Sequence, residues 1–376
     1  MGGIISGIAG GLRRRLQARL QARLQAYGGL SRREKLLAWG DFLIRNAIYI
    51  IIGGVVVYVQ IFSIQNNFYN TFLSFRSIVD IMTRAASSMF LALGVGGIIV
   101  LTGTDLSAGR LMGLTAVVCA SLLQLPVEEF SAKMFPNLAA PPIIAVLFLS
   151  MAIGAAFGAF NGFCTAKFKL HPFIVTLATS MVVYGLVLMY VQLGTNSGGP
   201  ISGITPAYRN AVMHTVVVMG TRIPVFVFYA IAAVAVTWFV WNKTTLGKNM
   251  YAVGANPEAA NVSGISVLKT TVLVFMMAGM LYGFSGFVEA ARIGSNSPST
   301  GFLSELDAIA ACVIGGVSFT GGVGRISGIV TGVILLQVIS VALQWLGVSG
   351  DIQFIITGAI ILVAVAIDMR KYLARR

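Results

Sequence analysis

Apolar stretches about as long as a bilayer crossing recur along this chain of 376 residues, and they limit its fold more than any other feature. Hydrophobic residues make up 57% of the sequence and charged residues only 10%. A soluble domain carries about 25% charged residues, because its surface must face water. This chain must therefore have lipid for most of its solvent, and at about 20 residues for each crossing its length allows roughly ten helices.

The apolar stretches predict ten spanning segments, at roughly 43–63, 77–101, 106–125, 142–165, 172–193, 224–241, 270–290, 305–318, 326–345 and 351–368. Three of them, 77–101, 106–125 and 305–318, carry glycine-rich breaks that favour re-entrant or discontinuous helices. The predicted fold class is therefore all-α: a polytopic membrane protein with about ten transmembrane helices, some of them broken.

The net charge of +14 lies mostly in the N-terminal region, in short loops and in the last seven residues. If the chain starts in the cytoplasm, ten crossings place most of the lysines and arginines inside, as the positive-inside rule requires. Both termini are thus predicted to be cytoplasmic, with a basic N-terminal segment over 1–42 and a basic tail over 371–376. Leucines over 12–26 leave two alternatives for the N-terminal segment, an amphipathic helix on anionic lipid or a poorly ordered extension. This charge pattern indicates membrane lipids as partners and no nucleic acid.

Glycines recur at helical spacing in several of the apolar stretches. The four-residue spacings are Gly154, Gly158 and Gly162; Gly279 and Gly283; and Gly328 and Gly332. Such spacing leaves a smooth groove on one helix face, where a neighbouring backbone can approach closely. These positions predict close helix packing and indicate nothing about function.

Patterns for catalysis, nucleotide binding and metal binding are missing from the sequence. The glycine-rich stretch 321–325 lacks the lysine and hydroxyl with which a Walker A loop holds phosphates. The cysteines and histidines are too dispersed for a disulfide framework or a metal site: Cys119, Cys164, Cys312, His171 and His214. We therefore expect no catalytic, cofactor or metal site in this chain, and no ATP hydrolysis by it unaided.

The longest predicted cytoplasmic loop, 242–269, contains the signals of a short capped helix. Asn256 can cap it, Pro257 suits its first position and Glu258 suits its positive end. Gly264 can end it after about two turns. Physical reasoning alone leaves two interpretations, an ordinary connecting turn or a lever for a cytoplasmic partner.

Several motifs in this chain resemble the permease subunits of binding-protein-dependent ABC sugar importers, in their ribose and galactoside branch. One is the sequence Glu258-Ala259-Ala260 followed by Gly264, which resembles the coupling-loop signature of these permeases. The others are the stretches 103–110, 289–295 and 305–322. The similarity runs from about residue 43 to 370 and is greatest to the galactose and methyl-galactoside members, whereas the basic N-terminal extension departs from the family.

The resemblance implies a transport subunit and not an enzyme. It implies a transmembrane permease domain over 43–370, with a coupling loop over 243–269, in the bacterial inner membrane. It also implies a homodimer, a cytoplasmic ATPase that binds ATP and Mg, and a periplasmic sugar-binding protein. The cargo is expected to be a monosaccharide or simple glycoside, such as galactose, a methyl-galactoside or glucose. The residues placed against the ATPase are Asn256, Pro257, Glu258, Ala259, Ala260 and Gly264.

Candidates for the substrate path are polar and aromatic residues in or beside the spanning stretches. Ionisable groups within lipid-spanning sequence are costly, so each is a functional candidate, and a sugar needs hydroxyl-bonding groups and an aromatic face. The candidates are Asp105, Ser107, Asn161, Tyr184, Asn196, Tyr282, Phe302, Glu305 and Asp307. The alternative for each is that it satisfies another polar group in helix packing. Glu289 and Arg292, three apart on a helix, can pair in that way.

An ion-coupled secondary sugar transporter is the alternative function. It needs a titratable relay or an ion-coordinating site near the midplane of the membrane. Asp105, Glu289, Glu305 and Asp307 are the acidic residues available for it, but their spacing shows no partnered chain. The two functions differ in what drives uptake, which is ATP with partner chains for the first and an ion gradient alone for the second.

Overall fold

The structure is a computed structural model, and it describes residues 47–66, 71–218 and 220–373. The chain divides into two compact units, Met1–Gly54 and Val55–Arg376. Only the last eight residues of the first unit are described, and they form the start of a helix. The predicted basic segment over 1–42 and residues 374–376 of the predicted tail lie outside the described residues.

Thirteen helices and one two-stranded hairpin follow one another in these described ranges. Their order is α1 (Ala47–Gln65), α2 (Phe75–Val100), α3 (Ala108–Leu122), α4 (Ile143–Lys167), α5 (Pro172–Tyr190), α6 (Pro206–Met213), β1 (Thr215–Val218), β2 (Thr221–Pro224), α7 (Phe226–Lys243), α8 (Thr245–Ala255), α9 (Pro257–Val262), α10 (Val267–Ile293), α11 (Ser304–Ile314), α12 (Ile326–Trp345) and α13 (Gly350–Leu373). The protein is therefore mostly helical, as its composition predicts.

Six of the described helices are long and apolar enough to cross a membrane: α2, α4, α5, α7, α10 and α12. Helices α4, α5, α7 and α12 expose much of their apolar surface, which suits contact with lipid, whereas most of α2 and α10 is buried. The structure therefore supports a polytopic membrane protein with at least these six candidate spans among the residues it describes.

The glycine-rich breaks fall at different places from those the sequence suggested. The first predicted break is absent, because α2 is one continuous helix of 26 residues and the irregular segment follows it. Helices α3 and α11 have 15 and 11 residues. At about 1.5 Å per residue, neither can cross a hydrocarbon core of about 30 Å. Both are largely buried, so non-helical backbone beside them is covered by protein, as lipid requires.

Helix α10 packs against α4 through direct backbone contact at the predicted glycines. A Cβ atom added to Gly154 would overlap the carbonyl oxygen of Gly279, and one added to Gly279 would overlap that of Gly154. Next along the pair, a Cβ on Gly283 would overlap the carbonyl oxygen of Ser150, and one on Gly158 that of Phe275. The spacing prediction is confirmed for this pair, since only glycine lets two backbones come so close.

Helices α11 and α12 pack in the same way. A Cβ on Gly328 would overlap the carbonyl oxygen of Gly315, and one on Gly332 would overlap that of Ala311. This contact confirms the third predicted glycine pair. It also holds the short α11 against a full-length helix, which compensates for its inability to cross the membrane alone.

Two local features correct the sequence prediction. The fold is not purely α-helical, because β1 and β2 form an antiparallel hairpin with Thr215 opposite Pro224. Its strands have only four residues each and lie outside the apolar spans, so a search for membrane-length stretches passes over them. The predicted loop 243–269 is also more ordered than expected, since α8 fills its first half.

Gly154→Ala is expected to destabilise the fold, because its Cβ overlaps the backbone of α10 and forces α4 and α10 apart. Overpacking of this kind costs about 1–3 kcal/mol. The matched control is Gly185→Ala in α5, where an added Cβ meets nothing within 4 Å. Thermal unfolding of the purified protein in detergent measures the difference. A midpoint for Gly154→Ala at or above that of Gly185→Ala would contradict the packing assignment.

Candidate functional site

Helix α9 is the short capped helix that the loop sequence predicts. The Asn256 side-chain oxygen accepts a hydrogen bond of 2.9 Å from the backbone N–H of Ala259, and Pro257 begins the helix. Glu258 lies in the first turn, where the helix dipole stabilises a negative charge. Gly264 follows the helix with a φ of +83°, a conformation that suits glycine.

One face of α9 is covered and the rest is open to solvent. Ala260 is buried at 4% exposure, whereas Asn256, Pro257, Glu258, Ala259 and Gly264 are exposed. Val262 was not among the residues predicted from the sequence, and it is 90% exposed in the last turn. Its signal is a large apolar side chain on a short helix that otherwise holds proline, alanine and polar residues. The exposed acid and valine give α9 a surface with both charged and apolar contacts for a partner.

Helix α8 leads directly into α9 and meets two distant parts of the chain at a backbone joint. The three parts of this joint are Gly254 in α8, Val100 at the end of α2 and Gly322 between α11 and α12. The N–H of Gly322 donates a 2.8 Å hydrogen bond to the carbonyl of Val100. A Cβ on Gly254 would overlap that same carbonyl oxygen. The Tyr251 hydroxyl adds a 2.9 Å hydrogen bond to the carbonyl of Gly324.

The joint also holds strained backbone. Thr102 has a φ of +63°, which a β-branched residue rarely adopts, and its methyl group packs on Gly321, whose φ is +78°. Such a conformation costs about 1–3 kcal/mol and persists only where the surroundings impose it. The end of α2 is therefore held in place by its contacts with α8 and the segment after α11.

Three of the predicted path residues form one closed, buried network after the end of α2. The Asp105 carboxylate accepts hydrogen bonds from the Ser107 N–H and hydroxyl at 2.8 Å and 2.6 Å. Asn161 donates to the Ser107 oxygen at 3.1 Å and accepts from Thr179 at 2.6 Å. Tyr282 is also fully buried, with its ring neighbouring Asp105. Asp105, Ser107 and Asn161 thus satisfy one another, whereas the buried hydroxyl of Tyr282 makes no hydrogen bond within the described chain. Cargo contact by these four residues stays a prediction.

A second group surrounds Arg110 on α3. Its guanidinium carbon lies 4.3 Å from the ring centre of Tyr184 and 5.0 Å from that of Phe302. Its Nη1 donates a 3.2 Å hydrogen bond to the carbonyl of Pro298. Glu305 lies close enough for its carboxyl to interact electrostatically with Arg110. Three predicted residues, Tyr184, Phe302 and Glu305, thus meet at one arginine, and both rings keep exposed surface.

The third group lines a polar cavity of about 230 Å³ between five helices, one of which, α3, contributes Met112. Its walls include Ser87 and Ser88 of α2, Glu289 and Arg292 of α10, Asp307 of α11 and Gln337 of α12. Arg292 and Glu289 form a two-bond ion pair at 2.5 Å and 2.8 Å, which confirms the predicted pairing. The Ser87 hydroxyl donates to Glu289 at 2.9 Å, and Gln337 donates to Ser88 at 3.1 Å.

The remaining predicted residue, Asn196, lies apart from these groups. Its side-chain nitrogen donates to the carbonyls of Val191 and Gly199 at 2.8 Å and 2.6 Å. It therefore organises the loop after α5. Ser87, Ser88 and Gln337 were not among the predicted residues, because their only signal in the sequence is a small polar patch or a lone amide inside an apolar stretch.

The chain belongs to the family described as the branched-chain amino acid transport system / permease component, which it matches over residues 77–365. It is thus a multi-pass permease subunit of a binding-protein-dependent importer in the bacterial inner membrane, and a transport protein that leaves ATP hydrolysis to a separate subunit.

Curated relatives place the chain within the sugar-permease part of this family. It is 43% identical to the galactose/methyl galactoside import permease of Salmonella typhimurium over 344 residues, which cover 92% of this chain and 98% of the relative. It is 44% identical to the Escherichia coli protein of the same name over 81% of this chain and 90% of that protein. The ribose import permease of Bacillus subtilis is 34% identical, over 85% and 91% of the two chains. No solved structure matches the chain.

Asn161→Ala is expected to destabilise the protein, because it leaves the buried hydroxyl of Thr179 without its acceptor. An unsatisfied buried polar group costs about 1–3 kcal/mol. Asn242→Ala is the matched control, since Asn242 is exposed and bonds only a carbonyl one turn back, that of Trp238. Unfolding midpoints in detergent measure the cost. Equal midpoints for the two variants would show that the Asp105 network contributes nothing to the fold.

Proposed function

We propose that this chain forms, as a homodimer, the membrane-spanning path of an ATP-driven importer for galactose or methyl-galactosides, with glucose as a further cargo. The names of the relatives support this cargo. The partners in the proposal are an ATPase that binds ATP and Mg and a periplasmic sugar-binding protein. The observation that carries the energy-coupling part is α9, an exposed capped helix tied through α8 to the interior of the membrane domain.

The proposed topology has about ten crossings, with both termini in the cytoplasm and α3 and α11 as half-spanning or re-entrant elements. The segment around α8 and α9 contains Lys243, Lys248 and Lys269, which supports a cytoplasmic position by the positive-inside rule. On this topology, α9 points toward a cytoplasmic ATPase. Glu258 and the exposed Val262 then offer that partner one charged and one apolar contact.

The backbone joint explains how a push on α9 reaches the transport path. Helices α8 and α9 meet at Ala255 and Asn256 with no intervening loop, so they move together. Gly254 passes that movement to Val100 and Gly322 by direct backbone contact. Helix α2 and the segment between α11 and α12 are then displaced with α8. Helix α2 lines one side of the polar cavity, and the displaced segment leads into α12, which lines another side.

A weakly selective path agrees with the chemistry of the remaining site residues. The rings of Tyr184 and Phe302 offer apolar faces for the C–H surface of a sugar, and Arg110 lies beside both. No dense set of polar groups surrounds them in the described part of the chain. In the proposal, the periplasmic binding protein recognises the sugar tightly, so the path through the permease needs only weak affinity for it.

Transport by the reconstituted complex tests this function. Proteoliposomes that contain this chain, its cognate ATPase and its binding protein are assayed for galactose uptake, with and without ATP, at zero ion gradient. Uptake that requires ATP and both partners is the expected result. Uptake by this chain alone under an imposed proton or sodium gradient would instead establish the secondary transporter, for which the buried Asp105 would be the first residue to mutate.

Glu258→Arg is expected to reduce ATP-driven uptake about tenfold or more, which corresponds to about 1.4 kcal/mol. The fold should stay intact because the side chain is exposed. The matched control is Glu128→Arg, which reverses the charge of another exposed glutamate. Uptake and co-purification of the ATPase are measured for both variants. Normal uptake by Glu258→Arg would refute the coupling assignment.

Gly254→Ala is expected to leave the ATPase bound and to slow uptake, because the added Cβ forces α8 away from Val100. Overpacking of about 1–3 kcal/mol at the joint corresponds to a loss of about 10- to 100-fold if it acts on the transport step. Gly350→Ala, where the Cβ meets nothing within 4 Å, is the control. ATP hydrolysis and uptake are measured on the same liposomes. An unchanged ratio of sugar moved to ATP hydrolysed would exclude a coupling role for the joint.

A further inference from the structure

The polar cavity between α2, α3, α10, α11 and α12 has the properties of a binding site. We infer that it is a subsite for an uncharged, hydroxyl-rich cargo of monosaccharide size, with the Asp307 carboxylate as its principal acceptor. This inference rests on the proposed function, and it adds a defined place where the cargo pauses within the permease.

The size and depth of the cavity suit such a cargo. Its volume of about 230 Å³ lies below the roughly 300 Å³ at which pockets for drug-sized ligands begin. Ser87 and Gln337 lie near the middle of α2 and α12, so the cavity reaches the interior of the membrane domain. Arg84 and Arg292 lie nearer the helix ends and border it there. A monosaccharide fits this space.

The charges that line the cavity disfavour an anionic ligand. Both of its arginines, Arg84 and Arg292, are already paired with carboxylates, whereas the carboxylate of Asp307 is not paired within the described chain. Arg84 already pairs with Asp80 at 3.0 Å, and Arg292 pairs with Glu289. An anionic ligand would have to displace one of these ion pairs, and it would also face the unpaired carboxylate of Asp307. A polyol needs only hydrogen bonds and can leave both pairs intact.

Several hydrogen-bonding groups of the cavity have no protein partner among the described residues. The Asp307 carboxylate makes no hydrogen bond or ion pair there, and the Nη1 of Arg292 and the side-chain oxygen of Gln337 are also free. Together they present acceptors and a donor to the same small space. Hydroxyl groups, which both donate and accept, match this mixture, and hydrogen bonds to charged groups contribute about 1.5–3 kcal/mol each.

A purely structural role explains Glu289 and Arg292 but not Asp307. The first two neutralise each other across one turn of α10, with Glu289 also bonded to Ser87. Asp307 has no such partner in the described chain, and its exposed side chain leaves the carboxylate free to meet a ligand in the cavity. The backbone just before Asp307 is also strained, because Leu303 adopts a φ of +61°. Its two neighbours are Phe302, which packs on Arg110, and Ser304, which lines the cavity. Strain of this kind concentrates at ligand sites.

Two walls of the cavity, α2 and α12, continue into the backbone joint with α8. Helix α2 runs from Ser87 and Ser88 to Val100, and the segment after α11 runs through Gly322 into α12. A displacement of α8 therefore changes the shape of the cavity. Cargo affinity in the cavity is then linked to the position of the ATPase.

Cysteine protection tests the subsite without requiring transport. Ser304→Cys is placed in a Cys164→Ser background in the full complex, and labelling by a small maleimide is timed. Methyl-galactoside at millimolar concentration should slow the labelling, whereas leucine and inorganic phosphate should not. Labelling that is unaffected by the sugar, slowed only by leucine, or absent altogether would each overturn the inference.

Kinetics of Asp307 variants provide the second measurement. Asp307→Ala should lower kcat/KM for sugar uptake about 10- to 100-fold, the equivalent of one charge-assisted hydrogen bond. The decrease in kcat/KM should be smaller for Asp307→Asn, because the amide oxygen can still accept a hydrogen bond from a sugar hydroxyl. Asp351→Asn, on exposed α13, is the control. If wild-type uptake is ATP-dependent but Asp307→Ala matches it, the subsite fails while the proposed function stands.

Discussion

The close backbone contact between α4 and α10 is the constraint on which most of this structure depends. Lipid tails are as apolar as leucine side chains, so helices in a membrane gain little from hydrophobic burial and associate through van der Waals packing. Glycine at Gly154, Gly158, Gly279 and Gly283 removes the side chains that would keep the two backbones apart. Helix α10 is therefore the central packing element, and α2, α3 and α4 all pack against it.

A tightly packed centre allows short helices and irregular backbone at membrane depth. Helices α3 and α11 cannot cross a bilayer, and the segments beside them expose polar backbone that lipid cannot satisfy. Gly113 and Gly286 let α3 approach neighbouring backbone, and Gly328 and Gly332 do the same for α11. The irregular segments are therefore enclosed by protein. The short helices carry Arg110, which lies beside the rings of Tyr184 and Phe302, and Asp307, which lines the polar cavity.

Polar groups inside the domain fall into two classes that differ in what they can do. The network of Asp105, Ser107 and Asn161 is closed, because its members use their hydrogen bonds on one another or on nearby threonines. Such a network stabilises one arrangement of the chain. The polar cavity is open, because Asp307 and part of Arg292 keep unused hydrogen-bonding capacity. The closed network is suited to stabilising the fold, whereas the open cavity can form hydrogen bonds with a ligand.

The amino-acid sequence by itself determined the features that depend on local chemistry. The apolar stretches predict α4, α5, α7, α10 and α12 to within a few residues, because membrane length and hydropathy are local properties. The caps of α9 follow from Asn256, Pro257 and Gly264, because a cap involves residues only a few positions apart. Glycine spacing likewise predicts which helix faces pack closely, but not which helices meet.

Tertiary structure decided the partners of the polar residues. Nine path candidates look alike in the sequence, yet Ser107 bonds to Asn161 across 54 positions, while Asp307 meets no partner in the described chain. The contacts among Val100, Gly254 and Gly322 bring together three segments that no repeating pattern in the sequence links. Helix α8 and the hairpin were missed for a related reason, since neither has the length or hydropathy of a span. Whether a buried polar group is satisfied depends on helices far away along the chain, and only their packing determines it.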